Sequence, residues 1–135
     1  EEWKTHTDYA LITEAIVYAV SAAGSLGRSH YIKGKFIASN LCLVLTSKND
    51  PQYPIDMQFY NCYFASIRKQ IVSDLADGTS KLTIAPDLFG DYYIDYVPYS
   101  EQTTFVRTKL KDFLTLQEQY KAAEEQLAQD ISNLT

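Results

Sequence analysis

Between Tyr9 and Ala23 the apolar side chains are interrupted only by Thr13, Glu14 and Ser21. At spacings of three and four, Tyr9, Ile12, Ile16, Ala19, Val20 and Ala23 share one helical face, and Leu11, Ala15, Tyr18 and Ala22 a second. With Thr7 as N-cap, Asp8 at the positive end and Gly24 just past the end, the pattern predicts a helix over 7–23, central in a bundle. The next apolar run, Leu41-Cys42-Leu43-Val44-Leu45, is too short for periodicity to choose between helix and strand over 31–45. Length favours a helix over 29–47, in which Ile37, Leu41, Val44 and Leu45 share a face. Lys48-Asn49-Asp50-Pro51 is a turn, and Pro54 suits the first position of another helix.

That third helix, 54–76, has the cleanest pattern: Met57, Tyr60, Phe64, Ile67, Ile71 and Leu75, ended by Asp77-Gly78. Over 79–99 the period shortens. Lys81-Leu82-Thr83-Ile84 and Tyr92 to Val97 alternate as strands do, which predicts a small β-hairpin or ordered loop. Pro98 closes it and Ser100 caps a last helix over 100–132. There Val106, Leu110, Phe113, Tyr120, Leu127, Ile131 and Leu134 follow a heptad-like stripe, broken by Gln117 and Glu124. The expected fold is mainly α: a four-helix bundle-like single domain over 1–135, with the hairpin inserted before a long C-terminal helix.

At 135 residues and 46% apolar content the chain is long enough to bury a core without metal or several disulfides as staples. The net charge of −5 and the lack of a Lys/Arg run argue against nucleic acid as partner. Lys33/Lys35, Arg68/Lys69 and Arg107/Lys109/Lys111 are short clusters that solvation explains. No stretch has the roughly 18–20 apolar residues of a transmembrane segment. The chain opens Glu1-Glu2-Trp3, which suggests that a signal peptide has been removed and the location is periplasmic or extracellular, with cytoplasmic as the alternative. In an oxidising compartment a Cys42–Cys62 disulfide closes a loop of about twenty residues, worth roughly 3 kcal/mol. Two reduced, buried thiols are the alternative.

Little in the chain points to catalysis. His6 and His30 are the only histidines, and no CxxC or HxxxH spacing suggests a metal site. Gly24-Ser25-Leu26-Gly27 lacks the ending of a phosphate-binding loop, so it is expected to be a connection. His30 as base for a Cys42 or Cys62 nucleophile is disfavoured, because apolar surroundings raise a thiol pKa. Asp87, Asp91, Asp95 and Glu101 offer paired carboxylates, but sequence spacing does not set their separation. The Asn133-Leu134-Thr135 triplet is near chance, and no cofactor is implied.

The segment Asp87–Glu101 is the most lopsided part of the chain. It holds four of the eleven tyrosines and four acidic groups, with no Lys or Arg. Tyrosines give stiff amphipathic contact area and unpaired carboxylates a negative field. The expected function is therefore a non-enzymatic, inhibitor- or immunity-like domain that binds a protein with a basic surface. Asp87, Phe89, Asp91, Tyr92, Tyr93, Asp95, Tyr96, Tyr99 and Glu101 would form the contact, with Phe89-Gly90 at a loop tip. The plain alternative is a hairpin with one face on the core. A second functional class is an assembly subunit of a larger complex, of secretion or pilus type, acting through its C-terminal helix and able to form a homodimer.

Overall fold

A computed structural model of the protein describes residues 14–21, 24–34, 42–78 and 82–134. It replaces the expected four-helix bundle with a mixed α/β architecture. In place of the first two helices stand three antiparallel strands, β1 (Glu14–Ala19), β2 (Ser29–Lys33) and β3 (Cys42–Leu45), in the order β2-β1-β3. Glu14 pairs with Lys33 and Tyr18 with Ser29 on one side, Ile16 with Leu45 and Ala19 with Cys42 on the other. Residues 7–13, Ala22, Ala23, Ile37 and Leu41, which entered the helical patterns, lie outside the described residues. The cause of the difference is burial on both faces. Ala15 to Ala19 are all at most 8% exposed, and such a strand loses polar alternation and resembles a buried helix in sequence.

Gly24 to Gly27 form the turn between β1 and β2, closed by Gly27 N–H to Ala19 O and Ala19 N–H to Arg28 O, both 2.9 Å. Gly27 has φ +80°, and a Cβ there would sit 2.9 Å from Cγ of Arg68 and 3.0 Å from Cγ2 of Val72. Both the backbone and the approach of the neighbouring helix therefore require glycine.

The expected helix over 54–76 forms as two: α1 (Met57–Ser66) and α2 (Arg68–Leu75), separated at Ile67 with φ −107° and ψ 16°. Asp56 caps α1 by accepting from Phe59 N–H at 3.1 Å. Helix α1 packs on β1 and β2, burying Met57, Tyr60 and Phe64 with Ile16, Tyr18, Val20, Leu26, Ile71 and Ile84.

The hairpin pairing is also corrected. Strand β4 (Ala76–Asp77) pairs with β5 (Thr83–Ile84), rather than 81–84 with 92–97. Pro86, set for a first helical position, then starts the short α3 (Pro86–Gly90). Residues 92–98 make no ladder and run as an extended strap. From Tyr99 to Ser132 the chain is continuously helical: α4 (Tyr99–Phe105), a π-helical turn (Val106–Leu110) and the 22-residue α5 (Lys111–Ser132), about 33 Å long. Among the described residues no helix is long and apolar enough to cross a membrane.

Candidate functional site

The acidic tyrosine segment is divided between the core and solvent. Phe89, expected at a loop tip, is half-buried, its ring 4.5 Å from Tyr18 and 5.9 Å from Phe64 between centroids. The strap is pinned to α1 by Tyr63 and by Tyr60, which the sequence pattern placed on the apolar face of the helix. Tyr63 Oη accepts from Asp95 N–H at 3.0 Å, while Tyr60 Oη accepts from Val97 N–H at 2.9 Å and donates to Asp95 O at 3.1 Å. Tyr92 donates to Asp74 at 2.5 Å, which raises its phenol pKa, and Tyr96 donates to Pro54 O at 2.8 Å. Asp87, Asp91, Asp95, Tyr99 and Glu101 are exposed, and Tyr93 is 95% exposed. Of the tyrosines in the segment, Tyr92 and Tyr96 are committed to holding the strap.

Beside the strap lies an apolar hollow of about 380 Å³ bounded by Ile16, Leu45, Met57, Tyr60, Tyr53 and Tyr96. A smaller hollow of about 220 Å³ is lined by Arg28, Ser29, His30 and Arg68. Its Arg68 is occupied structurally, donating from Nε to Leu26 O at 2.7 Å and from Nη2 to Gly24 O at 3.4 Å. Among the described residues no cluster of three metal-ligating side chains occurs. Cys42 and Cys62 are not joined by a disulfide. Burial pushes both thiols above their ordinary pKa, with the Asp56 charge adding to the effect at Cys62, so neither is set up as a thiolate nucleophile.

Gln102 is a key residue that sequence reasoning missed. It is fully buried, and Oε1 accepts from Asp56 N–H at 2.7 Å while Nε2 donates to Val97 O at 2.7 Å and Pro54 O at 3.3 Å. Its side chain thus ties the start of the long helix to the cap of α1 and to the strap. Phe105 adds an edge-to-face contact with Phe59, centroids 5.6 Å apart. Nothing in Ser100-Glu101-Gln102 signals this, because a glutamine in a first helical turn ordinarily faces water.

Beyond that joint every residue of α5 is exposed. Phe113, Leu114, Leu116, Tyr120, Leu127 and Ile131 leave 41–68% of their surface open. The heptad-like stripe expected from the sequence is therefore present on a helix whose apolar side has no cover within the described chain. Among the described residues, two outward surfaces stand out, a small acidic one at Tyr93 and a long apolar one along α5, joined through Gln102. In comparison with known proteins, no family model, curated protein or solved structure matches this chain.

Proposed function

We propose that this protein is a non-enzymatic assembly module: an α/β head that presents α5 for docking along an amphipathic helix of a larger complex. The observation that carries this reading is the apolar stripe of α5 left open over its whole length. A narrow row at spacings of three and four fits the grooves of another helix better than a flat surface. Glu118, Glu124, Glu125 and Asp130 make an anionic membrane an unfavourable substitute. The Gln102 joint supports the same reading, since a helix held at its base by buried hydrogen bonds is presented in a defined direction.

The native size of the protein in a gently prepared cell extract tests the proposal. A Leu116→Asp/Tyr120→Asp/Leu127→Asp triple variant is expected to shift the chain from a larger species to its monomer position. A Tyr93→Ala/Asp95→Lys double variant is expected to leave the larger species intact. Retention of that species by the triple variant contradicts the proposal.

A second reading keeps the acidic segment as an inhibitor-like contact for a basic protein, favoured by the exposure of Tyr93 and the neighbouring carboxylates. The same pair of variants separates the two: loss of the larger species in the double variant alone supports the acidic contact.

A further inference from the structure

The apolar hollow of about 380 Å³ in the head is bounded by core and by strap together. Ile16, Met57, Tyr60 and Phe64 line it from the sheet and α1, and each is at most 8% exposed. Ile94, Asp95 and Tyr96 line it from the strap. That wall is set by hydrogen bonds rather than by a ligand: Asp95 N–H donates to Tyr63 Oη, Val97 N–H to Tyr60 Oη and Tyr96 Oη to Pro54 O. A hollow with its walls already ordered takes a ligand without the cost of fixing them.

The lining chemistry restricts what fits. Leu45, Ile55 and Ile94 add aliphatic surface to the buried residues. The two lining phenols nearest the strap are already used, because Tyr60 donates to Asp95 O while accepting from Val97 N–H, and Tyr96 donates to Pro54 O. Neither requires a hydrogen bond from a ligand, and a polar group pressed against this surface would be stranded. The charged side chains of the lining, Lys48, Asp50 and Asp95, are all exposed and of both signs, so neither an anion nor a cation finds an uncompensated field there. Tyr53 and Tyr96, edge to face with centroids 5.3 Å apart, supply partly exposed rings against which a flat apolar body can rest. The volume is more than twice the roughly 150 Å³ of an apolar cavity that holds benzene, and it falls among the roughly 300–1,000 Å³ sites that hold small molecules.

We infer that this hollow is a binding site for an uncharged, largely apolar small molecule larger than a single ring, and that the strap over 92–98 is the fixed wall of the site. The strap thereby gains a role on its inner side, opposite the exposed Tyr93. The site belongs to the head and is independent of what covers α5.

Met57 is the only methionine in the chain, so an isotopic label on its methyl group gives one NMR signal from inside the hollow. Three probes share the same pair of fused rings and differ in charge: naphthalenemethanol, naphthylmethylammonium and naphthoate. The full chain is expected to show a saturable shift of the Met57 signal with the alcohol, and about tenfold or more weaker binding of each charged probe, whose charge must be desolvated. Ile94→Trp fills the hollow from the strap and is expected to abolish the shift. Tyr53→Ala removes one ring from the lining and is expected to weaken binding by roughly two- to tenfold, the worth of one aromatic contact. Tyr53 is 51% exposed, so that variant keeps the test decisive if the tryptophan variant misfolds. Tyr93→Ala, at a side chain 95% exposed, is expected to leave the affinity unchanged. Absence of a saturable shift with the alcohol, or binding unaltered by Tyr53→Ala, overturns the site. Equal or tighter binding of either charged probe overturns the ligand class.

Discussion

Helices α1 and α5 carry the same kind of apolar stripe, and the protein uses them in opposite ways. On α1, Met57, Tyr60 and Phe64 are buried against the sheet; on α5, Phe113, Tyr120 and Leu127 remain more than half exposed. Hydrophobic periodicity therefore identifies a face that requires cover without saying what supplies it. On α1 the cover is β1 and β2, brought there by the turn at Gly27 and the cap at Asp56. On α5 every residue is exposed among the described residues, and the proposed cover is a partner.

The sharpest way to break this contrast is to truncate one side chain in each stripe. Phe64→Ala is expected to destabilise the head by about 3–5 kcal/mol, the usual cost of emptying a large aromatic site. Phe113→Ala in the monomer should cost under about 0.5 kcal/mol, in line with surface substitutions. Denaturant titration of the monomeric head checks both, and a large loss from Phe113→Ala would show that α5 already has cover within the chain. Gln102→Ala, at the junction of the two regions, is expected to cost about 2 kcal/mol. It strands Asp56 N–H and Val97 O in a dry site. The same denaturant titration reads the loss, and spin-label distances between head and helix should broaden because the base of α5 is released.

The head also contains the molecule's alkaline weakness. Burial holds the Tyr18 phenol up to about 12, and burial together with the hydrogen bond to Glu14 does the same for Tyr31. Each favours the neutral form more strongly in the fold than in the unfolded chain. Their contribution to stability is fully present below about pH 10, the ordinary tyrosine value, and is lost as pH rises toward 12. Stability measured from pH 9 to 12 should fall over that window. One substitution is expected to bring a gain. The Tyr18 hydroxyl is buried without a partner among the described residues, so Tyr18→Phe should stabilise the head by about 1 kcal/mol in thermal unfolding.

How much the sequence disclosed follows the same contrast. The stripes of α1 and α5 were legible because each has one apolar side. The turn expected at Lys48-Asn49-Asp50-Pro51 falls beside the observed one, closed by Tyr53 N–H to Asp50 O, but the expected Ser100 cap does not form: the helix starts at Tyr99 after Pro98, with no side-chain cap. The three-stranded sheet was not, because Ala15 to Ala19 are apolar throughout and a strand buried on both faces erases the period that identifies it. Phe89 looked exposed beside Gly90, yet the proline-started α3 turns it into the space next to Tyr18 and Phe64. Gln102 gave no signal at all, since its value lies in backbone groups more than forty residues away. Within the acidic segment, composition singled out residues 87–101 but not the extended strap over 92–98: the phenols that anchor it and the one that leaves it depend on α1, and hence on long-range packing.

Amide hydrogen exchange across residues 113–131 in the assembled species tests the central claim most directly. A helix covered along its stripe exchanges slowly, whereas an uncovered one is limited only by local fraying. In the wild-type assembly these amides are expected to exchange far more slowly than in the Leu116→Asp/Tyr120→Asp/Leu127→Asp variant, with α1 protected equally in both. Equal exchange of α5 in the two proteins would contradict the account, because it would mean that nothing covers the stripe.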